Sequence, residues 1–159
     1  MEFSQQSLLK LGKLGANDVA EINKHRGQHN RLGFAYQLVF VRLFGKFPQI
    51  SPLEIIDELL DYTAVQLSIN IEYVNQYHHN RKTISKHQSE ISNYLHLNSY
   101  NLSNEKMVRD FIFKECMHLE ARSLLKIKAI RFLKEHKILL PAMSRLERLI
   151  ATQRILARD

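Results

Sequence analysis

Gln28-His29-Asn30-Arg31-Leu32-Gly33-Phe34-Ala35-Tyr36-Gln37-Leu38-Val39-Phe40-Val41-Arg42-Leu43-Phe44 is the stretch that decides the fold class of this chain. Its apolar residues, among them Leu32, Phe34, Ala35, Leu38, Val39, Val41 and Leu43, fall on most sides of a helix. A helix that is apolar nearly all round is a buried one, so the stretch reads as a long helix with others packed about it. Gly45 and Pro48 close it, and a shorter helix carrying Ile22 and ending near Lys24 precedes it. Only five Gly and three Pro occur, and long β-branched runs are scarce. The expectation is an all-α, compact multi-helix bundle with helix-turn-helix-like units. It is read as a single domain over 1–159, with two small lobes, 1–96 and 102–159, as the alternative division.

Working toward the C-terminus, Ser51-Pro52-Leu53-Glu54 carries a capping box with Pro at the first helical position. Leu53, Ile56, Leu59, Leu60 and Ala64 then keep helical spacing, predicting about four turns. Ser68 or Asn70 caps a short helix through Tyr73, Val74 and Tyr77, which His78-His79-Asn80 breaks. After a cap at Thr83, Ile84, Gln88, Ile91 and Leu95 form one stripe and leave Lys82, Ser85, Lys86, Ser89 and Asn93 outside. Three helices in succession, the last with a polar and basic outer face, have a helix-turn-helix outline. His96–Asn101 is the internal boundary. Ser103 opens an amphipathic helix through Met107, Val108, Phe111, Ile112, Cys116 and Leu119. The helix from about Arg122 to Glu135 is apolar around much of its circumference and is expected at the centre of its lobe. Leu139-Leu140-Pro141 turns the chain. Ser144-Arg145-Leu146-Glu147 is a second capping box, and Leu146, Leu149, Ile150, Leu156 and Ala157 form the last buried stripe.

Charge is distributed unevenly. Residues 122–159 hold ten Lys or Arg against Glu135, Glu147 and Asp159, which equals the whole formal net charge of +7; the preceding 121 residues balance thirteen against thirteen. Local charge density governs steering and counterion release, so this end has the footprint of a polyanion-binding face. Between Phe47 and Asn80 only acidic charges occur (Glu54, Asp57, Glu58, Asp61 and Glu72), and that segment should face away from phosphate. The single cysteine, Cys116, reads as a core residue and fits a reducing, cytoplasmic setting. No apolar run is long enough to span a bilayer, so no membrane partner is expected.

His25 and His29 stand four apart, a spacing that suits two metal ligands on one helix, but Gly27 lies between them and no third ligand follows. His78-His79 diverge, and Cys116, His118 and Glu120 do not share a helix face. No metal, cofactor or catalytic residue is assigned, and no glycine-rich phosphate loop or nucleophile elbow occurs. For nucleic acid, two basic helices stand out, around Arg81–His87 and Arg145–Arg158. Their cations would meet phosphates while Ser85, Gln88 and Ser89 approach base edges. The residues assigned are Arg81, Lys82, Lys86, His87, Arg145, Arg148 and Arg154, with Arg31, Lys128 and Arg131 in a weaker second group. Asn30 and Arg31 otherwise read as architectural, capping and bonding between helices.

Arg26-Gly27 with Asn30 to Leu38, then Arg42 and Phe44-Gly45-Lys46-Phe47-Pro48, resembles the opening of the N-terminal domain of Tn3-family transposases. Later landmarks keep the family order: Arg81, Thr83, His87 and Ile91, then Leu139-Leu140-Pro141, Ser144 and Leu146-Glu147-Arg148-Leu149-Ile150. The resemblance runs from about Asp18 to Arg154. Lys86 departs from it, standing where the family pattern has an acidic residue.

The resemblance implies an all-helical part that recognises the terminal inverted repeats of a transposon as double-stranded DNA. Strand cleavage and joining would belong to a separate RNase H-like domain with an acidic triad and divalent metal, so this chain is expected to be no enzyme by itself. A homodimer is the candidate assembly of such a full-length transposase. Two other readings stand beside this one: a helical RNA-binding module of the antitermination type, and a helical protein-interaction scaffold.

Overall fold

The helix Gln28–Phe44 (α3) buries every residue from Leu32 to Val41, and Leu43 as well. In the computed structural model, which describes residues 3–50, 52–118 and 121–158, this helix is the axis of the first of two units. Contacts divide the chain between Leu95 and His96. Around α3 pack α1 (Gln5–Leu11), α2 (Ala16–Ile22), α4 (Asp57–Leu67), a 3-10 helix (Ile71–Gln76) and α5 (Arg81–Leu95). Leu32, Tyr36, Val39, Phe40, Leu59, Leu60, Tyr77 and Ile84 form one continuous apolar core.

The second unit consists of α6 (Leu102–Cys116), α7 (Arg122–Glu135) and α8 (Met143–Arg158), each touching the other two. Its smaller core joins Val108, Ile112, Cys116, Leu125, Ala129, Leu133, Ile138, Leu146 and Ile150. Cys116 is thus a core residue. A parallel bridge between Asn98 and Ile138 ties the entry of this unit to the α7–α8 turn, with Asn98 N donating to Lys137 O (2.7 Å) and Leu139 N to Asn98 O (2.8 Å). The architecture is all-α, and among the described residues no helix is long and apolar enough to cross a membrane.

Several helix starts differ from the sequence reading. α4 begins at Asp57, not Leu53: the Tyr36 hydroxyl donates to Glu54 O (2.8 Å) and accepts from Ile56 N (2.9 Å), holding residues before α4 out of helix. Glu54 instead accepts from Gln49 N, and Ser51, the expected cap, lies outside the described residues. α5 is capped by Asn80, whose Oδ1 accepts from Thr83 N (3.3 Å), so Thr83 lies in the first turn. Asn101 caps α6 through Asn104 N, not Ser103. Leu119 lies outside the described residues. α8 starts at Met143, which places Ser144 inside its first turn and frees Glu147 to accept from Lys126 Nζ at 2.7 Å. Asn70 does cap the short helix as expected, accepting from Glu72 N, though that helix is 3-10.

Two burial expectations also change. α7 buries only Leu125, Ala129 and Leu133 and leaves Leu124 and Ile127 42% and 54% exposed, so it is a one-faced helix and not the centre of its unit. The buried stripe of α8 is Leu146, Ile150 and Gln153; Leu156 is exposed, because three-residue and four-residue steps from Leu146 lead to Gln153.

Candidate nucleic-acid interface

α5 separates sharply into an inner and an outer face. Ile84, His87 and Ile91 are buried, while Arg81, Lys82, Ser85, Lys86, Ser89 and Asn93 are exposed. Among the described residues, the side chains of Arg81, Lys82 and Lys86 make no hydrogen bond or ion pair, so three cations on one helix are free to meet a ligand.

The inner face is fixed by a buried polar network. Gln37 Nε2 donates to the Tyr77 hydroxyl (2.8 Å) and to Ile84 O (3.3 Å), and Gln88 Nε2 donates to Gln37 Oε1 (2.8 Å). The Ile84 carbonyl can only accept, which orients the Gln37 amide and leaves the Tyr77 hydroxyl to donate to His87 Nδ1 at 2.7 Å. Burial pushes His87 down to about 4, helped by the charge of nearby His25, so the ring is neutral at physiological pH. This arrangement corrects the assignment of His87 as a DNA contact: it is 3% exposed and bonds inward. Gln88 is likewise turned inward, away from base edges.

The network also accounts for Gly33. A Cβ there would lie 2.3 Å from the Tyr77 ring, so the close approach of α3 and the 3-10 helix admits only glycine. A second anchor crosses α2, α3 and α5. Arg42 donates two hydrogen bonds to Asp18 (2.8 and 2.7 Å), and the Tyr94 hydroxyl donates a third (2.7 Å). Burial would raise the Asp18 carboxyl, but Arg42, Tyr94 and the Gly15 N–H overcome it and hold Asp18 at about 2. Tyr94 was not named in the sequence reading, and Tyr77 only as a member of its short helix. Their roles depend on residues 76 and 40 positions away, which no local pattern encodes.

In the second unit the basic residues behave differently. Arg145 donates to Glu105 Oε2 and lies over the Tyr100 ring, 5.0 Å from its centroid. Lys126 pairs with Glu147 (2.7 Å) and Lys128 with Glu115 (3.1 Å). Arg131 and Arg148 are exposed and Arg154 is half-buried. Arg109, overlooked in sequence, joins Arg145, Arg148, Thr152 and Gln153 around a groove between α6 and α8. Arg31 proves architectural, its Nε donating to His25 O (2.9 Å), as does Asn30, which bonds Arg26 O (2.9 Å).

His25 and His29 do not share a helix, because Gly27 adopts φ +85° between α2 and α3. His25 turns toward α5 instead, with Nε2 2.7 Å from Glu90 Oε2.

A family model described as a domain of unknown function, DUF4158, matches residues 2–153. The transposase for transposon Tn1546 from Enterococcus faecium is 29% identical over 140 residues, 88% of this chain and 14% of the relative. The transposase for transposon gamma-delta from Escherichia coli K12 is 30% identical over 154 residues, 94% of this chain and 15% of the relative. The transposase for transposon Tn501 from Pseudomonas aeruginosa is 26% identical over 145 residues, 91% and 15% respectively. The chain therefore spans about one-seventh of the length of these relatives. It belongs to the DUF4158 family, and its homologues are Tn3-family transposases.

Proposed function

We propose that this chain is the part of a Tn3-like transposase that binds double-stranded DNA at the transposon's terminal inverted repeats and performs no strand chemistry itself. The observation that carries this reading is the outer face of α5. Arg81, Lys82 and Lys86 are exposed and make no ion pair among the described residues, interleaved with Ser85, Ser89 and Asn93. An α-helix fits the major groove, where cations contact phosphates and short polar side chains reach base edges. Release of counterions from each neutralised phosphate supplies the affinity. The anchoring of the opposite face by Gln37, Tyr77 and His87 supports the same reading, since a helix held rigidly presents its side chains in one register. Arg148 and Arg154 of α8, with Arg131 of α7, would supply a second set of phosphate contacts.

The test is a gel shift titrated with salt, using the element's own end repeat and a scrambled duplex. Specific binding with log K falling by about 0.9 per unit log salt for each phosphate neutralised is the expected result. A flat salt response, equal affinity for the scrambled duplex at physiological salt, or tighter binding to hairpin RNA would overturn the reading.

A further inference from the structure

Two imidazoles and a carboxylate from separate parts of the first unit meet where the turn after α2 packs against α5. His25, His87 and Glu90 each offer one ligand atom, and the three atoms lie within 4.8 Å of one another. We propose that they form a binding site for a divalent transition metal of the zinc class, clamping the α2–α3 turn onto α5. This inference does not depend on DNA binding.

The geometry is close to what such an ion requires. Zn–N and Zn–O bonds of about 2.0–2.2 Å in a tetrahedron place ligand atoms roughly 3.3 Å apart. The present spacings are compatible with that value: His25 Nε2 and Glu90 Oε2 are 2.7 Å apart, and all three ligand atoms lie within 4.8 Å of one another. His87 and Glu90 stand three apart on α5 and so project from one face. Two imidazoles with one carboxylate suit zinc and its neighbours better than calcium or magnesium, which prefer oxygen.

The carbonyl behind His25 matches the outer groups found around metal-bound histidines, and Tyr77 behind His87 can do so once its hydrogen bond reverses. His25 Nδ1 lies 3.2 Å from Ile22 O, and His87 Nδ1 lies 2.7 Å from the Tyr77 oxygen. Nε2 of each ring is then the ligand atom. For His25 the metal takes the place of the proton bonded to Glu90. For His87 the ring proton shifts to Nδ1, and Tyr77, which already accepts from Gln37 Nε2, accepts from it too and turns its own proton away from the ring.

A structural role without metal explains only part of the cluster. The His25–Glu90 pair satisfies two of its members and Tyr77 satisfies His87 Nδ1, while His87 Nε2, among the described residues, makes no hydrogen bond. An approach also exists: a surface pocket lined by Glu21, Lys24, His25, Lys86, Glu90 and Tyr94 reaches two of the three ligands and is large enough to admit water.

The test is Zn2+ titration of the tag-free protein by calorimetry and by competition with a chromophoric chelator, with Co2+ as the spectroscopic probe. One equivalent of Zn2+ and the visible bands of four-coordinate Co2+ are expected. His25→Ala and Glu90→Gln should each weaken binding beyond the ~10–100-fold typical of losing an outer partner. Both sites are partly exposed and Glu90→Gln is isosteric, so the helical circular dichroism of these variants should be retained. The double variant His78→Gln/His79→Gln, which removes the other adjacent pair of imidazoles, should bind like the parent. Absence of saturable binding, undiminished binding in both single variants, or loss confined to the His78/His79 variant would overturn the proposal.

Discussion

The two units solve the problem of charged and polar side chains in opposite ways. The first buries them: Asp18, Gln37, Thr63 and His87 lie in its interior, each bonded to another helix or to its own backbone. The second, apart from Gln153 on α8, keeps its core apolar around Val108, Ile112, Leu133 and Leu146 and pairs Lys126, Lys128 and Arg145 with acidic residues nearer the surface. The contrast teaches that net charge locates a candidate binding surface poorly. Residues 122–159 hold the whole excess of +7, yet at least three of their cations are engaged by carboxylates. The neutral part of the chain presents Arg81, Lys82 and Lys86 without partners among the described residues. For phosphate binding, what matters is the charge left after internal pairing.

Breaking the buried ion pair should give the largest effect. Arg42→Ala strands the Asp18 carboxylate, 8% exposed, and should cost about 3 kcal/mol, the lower end for such a pair because Arg42 keeps 22% exposure. Urea unfolding followed by circular dichroism measures this, and a loss below about 1 kcal/mol would mean that the pair behaves like a surface one. Gly33→Ala comes next. Its Cβ would meet the Tyr77 ring at 2.3 Å, and overpacking of this kind costs about 1–3 kcal/mol; the same measurement should show it, with the Gln37–Tyr77 bond disturbed.

Acid should act selectively on the first unit. Asp18 is held at about 2, below its ordinary 3.8, so the folded state binds fewer protons than the unfolded one in this range. Its stabilisation is complete above about 4 and is lost as pH falls toward 2. An Asp18→Asn variant should lack this component of the acid transition, which parallel acid titrations of parent and variant would reveal.

For DNA, Arg81→Ala and Lys86→Ala should each weaken binding to all duplexes and reduce the salt slope by about 1. Lys128→Ala, whose cation already pairs with Glu115, should change the slope less. Equal slopes for all three variants would erase the distinction between paired and unpaired cations. The smallest effect belongs to Lys126→Ala, which removes a pair with 37% and 56% exposed partners and should cost under about 1 kcal/mol in urea unfolding.

Much of the fold is legible along the chain because helix burial is periodic. α3 is buried where its apolar residues surround the axis, and α5 turns outward the residues that its stripe leaves over. Helix starts are less legible. Ser51-Pro52-Leu53-Glu54 and Ser144-Arg145-Leu146-Glu147 both satisfy a local capping pattern, yet Tyr36 and Lys126 engage the groups concerned from elsewhere. The candidate DNA-binding residues divide in the same way. Arg81, Lys82 and Lys86 sit on the exposed face that their spacing indicates, whereas His87 shares their helix but follows the phase of Ile84 and Ile91 into the core.

By itself the sequence determined the all-helical class, the buried central helix and the outer face of α5, since each follows from the 3.6-residue period of apolar side chains. Only the tertiary structure decided which charges remain unpaired, why Gly33 must lack a side chain, and that His25 joins His87 and Glu90 rather than His29. Those outcomes depend on side chains up to 76 residues apart being brought within hydrogen-bond reach, as Tyr94 is to Asp18, and hydrogen bonds and ion pairs act over a few ångströms of space irrespective of distance along the chain.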